Sequence, residues 1–227
     1  MLEMSSQSAP ATRHAGPSSL AYNLAGIAVL VLLLAVGMAY LIDSLGRTSR
    51  VPAPALDDAE PVSQTISARE LSIPASWFRY GEQVRDGFTS QIDLRILYAP
   101  DGATARPVDI TLLPRSRVRA GASLLDRVYL HQFADDTLSG VPGLVGKPML
   151  ATNGYAGESV WYDALSPDPF VAKCVDPLEP GGPAQCVRTV YLPSGIGAVY
   201  TFDATLLPTW RQFDKEMQRW LEPIGAW

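Results

Sequence analysis

The sequence predicts an α+β protein: an N-terminal transmembrane helix, then a mainly antiparallel β domain with a C-terminal amphipathic helix packed on the sheet. Three observations carry that expectation. An uncharged apolar run covers Leu20–Ile42, short alternating runs between Pro and Gly begin near Ser67, and one apolar stripe marks the closing segment. With 227 residues, 47% apolar and 18% charged, the chain can build one globular body; a disordered, collagen-like or multi-pass membrane chain is excluded. A net charge of −5 leaves no broad basic surface, so no nucleic-acid partner is expected.

Residues 1–19 are rich in Ser, Ala, Pro and Gly and read as a disordered tail. The next segment, LAYNLAGIAVLVLLLAVGMAYLI, holds 23 residues without a charge. As a helix it rises about 34 Å, enough to cross a hydrocarbon layer of about 30 Å with every backbone group paired internally. Tyr22 and Tyr40 stand near its ends, where aromatic rings meet headgroups. The competing reading is a cleaved signal peptide cut near Gly37-Met38-Ala39. Against it, the run exceeds the roughly 7–15 residues of a signal core, and Arg13 is the one Lys or Arg before it. The bilayer is therefore the first expected partner, through Leu20–Ile42.

Orientation rests on opposed signals. Arg47 and Arg50 follow the span and Arg13 precedes it, which by itself favours a cytosolic C-terminal side. The two cysteines favour an oxidising compartment, and the long segment after Arg50 translocates largely regardless of one arginine. The expectation is a bacterial inner-membrane protein with its N-terminus cytoplasmic and its C-terminal domain periplasmic. Residues 43–66, with Pro52, Pro54, Pro61, Asp57, Asp58 and Glu60, read as an acidic, Pro-stiffened linker, and 67–227 as the domain.

Within the domain, Ile92, Leu94, Ile96 and Tyr98 alternate with polar residues, as do Val108, Ile110 and Leu112, with the turn signal Pro100-Asp101-Gly102 between them. These predict an antiparallel pair, 91–98 with 108–113. Further strands are expected near 158–164, 170–175, 185–192 and 197–204, the last two joined by a hairpin over Pro193–Gly197. Ser123–Phe133 reads as a short helix. After Pro208, Trp210, Phe213, Met217, Trp220 and Leu221 recur on one helical stripe, which predicts a helix packed across a sheet face and stopped by Pro223.

Cys174 and Cys186 flank eleven residues rich in Pro and Gly, and neighbouring strands would bring the two sulfurs together. The spacing is not CxxC, so a structural disulfide is expected rather than a redox pair. Two cysteines and two histidines are too few for a closed zinc site, and no cofactor or metal is expected. His131 has Asp126, Asp135 and Asp136 near it in sequence, but no GxSxG elbow accompanies it. Glu158 and Asp163 flank Trp161 and Tyr162, an arrangement that fits a sugar-binding carboxylate pair or simply the polar face of a strand; the strand reading is preferred. GVPGLVG over Gly140–Gly146 lacks the Lys and hydroxyl of a phosphate loop. No catalytic residue is assigned, and the chain is not expected to be an enzyme.

Arg115, Arg117 and Arg119 alternate, and in an extended stretch they project to one side. They form the candidate contact patch for an anionic surface, against the alternative of a charged strand edge that discourages stray pairing.

Pro142-Gly143-Leu144-Val145-Gly146, Gly154-Tyr155-Ala156-Gly157-Glu158, the two cysteines and Leu207-Pro208-Thr209-Trp210 resemble a group of single-pass, membrane-anchored proteins of alphaproteobacteria. Fifteen arginines against three lysines suit a GC-rich genome. The resemblance implies an inner-membrane anchor with a periplasmic domain and carries no activity across. The expectation is thus an accessory or assembly subunit whose domain binds an envelope protein partner. A periplasmic small-ligand or lipid-binding module is the alternative, and an envelope hydrolase a third.

Overall fold

A computed structural model of the chain describes residues 19–48, 61–100, 104–177 and 181–227. The expected tail through residue 18, and residues 49–60 of the expected linker, lie outside them. The chain divides into two units, Met1–Val51 and Pro52–Trp227. In the first, helix α1 (Ser19–Thr48) is 30 residues long. Its described side chains, over 24–40, are apolar and exposed on every side, from Leu24 at 59% to Tyr40 at 72%. Among the described residues no helix is long and apolar enough to cross a membrane. The described stretch rises only about 26 Å, short of a hydrocarbon layer of about 30 Å. The expected span Leu20–Ile42 extends past it at both ends, so the described residues leave a crossing unestablished.

The second unit opens with a hairpin. Strands β1 (Pro61–Ile66) and β2 (Arg69–Pro74) pair in register from Pro61↔Pro74 to Ile66↔Arg69. The two-residue turn uses Ser67 and Ala68 at φ 50° and 63°, the mirror-image turn whose twist suits paired strands. Strand β3 (Gly87–Phe88) adds in parallel, giving the order β2-β1-β3. Strand β1 lies on the linker side of the boundary expected at residue 67. The polar pair Ser63-Gln64 reads as spacer in sequence, yet Gln64 is buried. Its amide donates to the Gln83 and Arg85 carbonyls at 2.6 and 3.0 Å, partners supplied by a loop about twenty residues on.

A seven-stranded antiparallel sheet forms the bulk of the unit, in the order β4-β5-β10-β9-β8-β7-β6. The expected pair is β4 (Ile92–Tyr98) with β5 (Arg106–Pro114), from Ile92↔Leu112 to Tyr98↔Arg106. The other expected strands are β7 (Glu158–Tyr162), β8 (Val171–Val175), β9 (Gln185–Tyr191) and β10 (Ile196–Asp203). Strand β6 (Val145–Pro148) was not expected; four residues with a Gly and a Pro give no readable alternation. Strands β6 to β10 follow one another as a meander, and β10 then pairs with β5. Only the β5-to-β6 connection travels far. It carries helix α2 (Gly121–Arg127) and the tight turn Tyr129–His131, the segment read as one short helix.

Helix α3 (Trp210–Leu221) follows a turn over Ala204–Thr209 that contains Pro208. Its stripe packs as expected: Phe213, Met217, Trp220 and Leu221 are buried and Trp210 half-buried. Phe213 is the hub, its ring centroid 4.7 Å from Phe202, 5.5 Å from Tyr98, 5.6 Å from Tyr200 and 6.3 Å from Phe170. Trp220 meets Trp77 edge-on at 5.0 Å. Burying several such rings contributes several kcal/mol, enough to fix the helix on the sheet. The Pro142–Gly146 landmark serves the same contact. Trp210 Nε1 and Arg211 donate to the Pro142 carbonyl, and Gly143, at φ 86°, leaves the room Arg211 occupies.

Candidate functional site

One sheet face is closed by α3; the other is closed only in part. There α2 sets Leu125 against Met149, Val160 and Val171 over the β6–β8 end. Toward β9 and β10 the same face keeps Val187 exposed and Val199, Thr201 and Thr189 half-exposed. The segment leading into α2 borders this open part. Val118 packs where Gly197 of β10 carries no side chain, and its carbonyl accepts the Tyr191 hydroxyl at 3.1 Å.

This places the three arginines, and the expected common face is corrected. Pro114 ends β5, and Arg115–Arg117 forms a tight turn rather than an extended stretch, so the alternation no longer holds. Arg117 leaves the group to donate to the Ser90 carbonyl at 3.1 Å. Arg115 lies over the Tyr191 ring, 3.9 Å from its centroid, and with Arg119 walls a shallow cleft of about 500 Å³. A guanidinium stacked on a ring is held in place with its donors still free to face an anion.

That cleft does not stand alone. Tyr191 is also a wall of a second hollow, about 210 Å³, between Ser123 of α2 and Thr189 of β9 with Asp168 at its rim. Ala122 and Pro169 are then shared with a third, about 270 Å³, lined by Leu130, Asp126 and Asp163. Common walls make the three one groove along α2, basic at one end and acidic at the other. The loop bordering the acidic end is tied down: Asp163 accepts the Leu165 amide at 3.0 Å, and Ser166 and Asp168 bond each other. It holds Leu165 at 96% exposure.

Beneath the groove β8 and β9 separate. Cys174 and Cys186 sit directly opposite, Cα to Cα 4.0 Å, joined in the disulfide expected from their spacing. Pairing ends one step on, at Lys173↔Val187. Arg188 spans the opening. It is buried, donates to the Val171 carbonyl at 3.3 Å, stacks on Phe170 at 4.3 Å, and forms a two-pronged ion pair with Asp214 of α3 at 2.6 and 2.9 Å. Tyr200 lies in the same layer. Burial, reinforced by the Asp214 charge, pushes its hydroxyl well above the ordinary tyrosine value, and that hydroxyl has no hydrogen-bond partner among the described residues.

The other residues singled out from sequence do not converge. His131 is exposed in its turn, and among the described residues no hydrogen bond or ion pair joins its side chain to a serine or carboxylate. Glu158 pairs with Lys173 at 2.6 Å across β7 and β8, while Asp163 caps its own loop. No cluster of ligating side chains able to hold a metal is present among the described residues. A ligand pocket between α3 and the sheet, which the small-ligand reading requires, is occupied by the rings around Phe213. Sequence reasoning missed Arg188, Thr189 and Tyr191 as parts of a site. One signal was there: Arg188 falls on the same alternating side as Cys186 and Val190, a charge on the inward register of a strand.

No family model matches the chain, and no curated protein matches it. Among solved structures, it is similar to an immunity protein of the Stenotrophomonas maltophilia type IV secretion system. The TM-score is 0.50 at 14% identity, over 73% of this chain and 93% of the other. At that identity the likeness is one of fold.

Proposed function

We propose that this chain is a bitopic envelope protein, anchored in the bacterial inner membrane by Leu20–Ile42, whose periplasmic α+β domain binds a protein partner as a non-catalytic accessory or assembly subunit. The single observation that carries the reading is the open part of the sheet. A ring-packed helix closes one face, while the other keeps a charged groove bordered by half-exposed Val199 and Thr201. The Cys174–Cys186 disulfide supports an oxidising compartment, since cytosolic thiols stay reduced. The all-round apolar surface of α1 supports an anchor, because such a helix has no face suited to water. Likeness of fold to a secretion-system immunity protein is in keeping with a partner-binding role. The alphaproteobacterial affiliation remains part of the proposal.

Two measurements test it. A reporter active only after export, fused to the C-terminus, is expected to be active; activity of a cytosol-only reporter instead overturns the location. Mild detergent extraction of the full chain after in-cell cross-linking is expected to yield the same co-purifying envelope protein in repeated preparations. Recovery of the chain alone and monodisperse overturns the partner reading.

A further inference from the structure

The groove has a feature beyond its charges, which shows in the hydrogen-bond parity of β9. A Cα separation of 4.0 Å at Cys174/Cys186 marks that pair as the close, non-hydrogen-bonded kind. Bonded positions on the β8 side of β9 are therefore odd-numbered: Val187 with Lys173, then Thr189 and Tyr191. The opposite side agrees, since the Leu192 amide bonds back to Ile196 at 2.8 Å in the hairpin with β10. Pairing with β8 stops at Val187. The carbonyl that Thr189 would have met, that of Val171, is taken by the Arg188 guanidinium instead. Thr189 and Tyr191 thus turn main-chain N–H and C=O groups toward the groove, and among the described residues none of these has a partner. Both residues line it. Main-chain groups left facing a half-buried hollow require water or a ligand.

Resting on the partner-binding reading above, we propose that the groove takes an extended polypeptide segment of a partner protein. The segment adds to the free edge of β9 at Thr189 and Tyr191. Strand addition draws affinity from main-chain bonds and specificity from what lies at each end. Here Arg115 and Arg119 stand at one end and Asp126, Asp163 and Asp168 toward the other. The matching segment is acidic where it passes Tyr191 and basic where it passes Leu130. Charge complementarity also sets its direction, because reversal places like charges together.

The probe is a library of random dodecapeptides displayed on phage, selected against the full chain in detergent micelles. Enriched sequences are expected to be acidic toward one end and basic toward the other. Affinity is expected to fall about tenfold or more on alternate backbone N-methylation of the peptide, and similarly in R115E/R119E. Thr189→Pro removes one groove-facing donor and leaves the β10 ladder intact, since position 189 does not bond to β10, and binding is expected to fall with it. Ser123→Arg blocks the hollow from the α2 side and serves where the proline variant does not fold. Equal binding by N-methylated peptides, or no enrichment, overturns strand addition. Vesicles of anionic phospholipid supply the other arm: binding lost in R115E/R119E but kept in Ser123→Arg, without peptide enrichment, assigns the arginines to lipid and overturns the proposal. A partner that co-purifies from cells undiminished in Thr189→Pro and Ser123→Arg leaves the partner reading standing and removes this groove.

Discussion

The two faces of the seven-stranded sheet are built from alternate residues of the same strands, yet they are closed in different ways. On the α3 face, Tyr98, Tyr200 and Phe202 from two strands meet Phe213 on a twelve-residue helix, and the layer is ring against ring. On the α2 face a seven-residue helix contributes Leu125 to a cluster of four buried residues, with the rest of that face half-exposed. Helix α3 comes last, after every strand is laid down, and its length suits the sheet it crosses. The α2 segment is a connection that must also reach from β5 to the far edge. Stability is concentrated on one face, which leaves the other with surface to spare for recognition.

Truncation at the two hubs sets the scale of that contrast. Phe213→Ala is expected to cost about 4 kcal/mol, the range for emptying a buried aromatic site. Leu125→Ala is expected to cost about 2 kcal/mol, since its small cluster can relax toward the groove. Urea titration of both variants reads the difference, and equal losses break the comparison.

Removing Asp214 leaves Arg188 buried with only the Val171 carbonyl and the Phe170 ring. Asp214→Ala is expected to lose about 2 to 3 kcal/mol, below the upper range for a buried pair because Asp214 is itself 46% exposed. Arg188→Met is expected to lose less than Asp214→Ala, because it leaves no stranded charge in the layer. The reverse order in denaturation would show that the ion pair contributes net stability rather than specificity.

Tyr200 gives a pH signature to the same face. Its hydroxyl is held protonated in the folded protein, so the folded state binds that proton more tightly than the unfolded one. Stability from this source is complete below the ordinary tyrosine value of about 10 and is lost as pH rises beyond it. Tyr200→Phe is expected to gain about 1 kcal/mol at neutral pH by removing an unpaired buried hydroxyl. It is also expected to flatten the alkaline fall above about pH 10; an unchanged slope in thermal melts across that range rules the assignment out.

The smallest effect belongs to the groove. Arg115 and Arg119 are exposed, and reversing both is expected to shift the unfolding midpoint by no more than the equivalent of about 0.5 kcal/mol. A large loss would return these arginines to a structural role in holding Tyr191.

Much of the fold was readable because it is written in local periodicity. The β4–β5 pair and the α3 stripe each repeat over enough residues for the inward side to declare itself, and the cysteine spacing matched a pair of neighbouring strands. Strands β1 and β6 were not readable, since Gln64 is satisfied by a distant loop and Val145–Pro148 is too short to show a period. The arginine patch was half right: Arg115 and Arg119 share a cleft, and Arg117 does not, because a turn replaces the strand that alternation presumed. The groove itself joins Ser123, Asp168 and Tyr191, which no local pattern connects.

The amino-acid order alone therefore determined the element types, the inward faces and the disulfide, because side-chain period and loop closure act over a few residues. The meander order, the separation of β8 from β9, the burial of Arg188 and the free edge at Thr189 were decided only when the β5–β6 connection laid α2 across the sheet. Which main-chain groups lose a neighbour depends on how distant strands diverge, and that is a property of the assembled sheet rather than of any one segment.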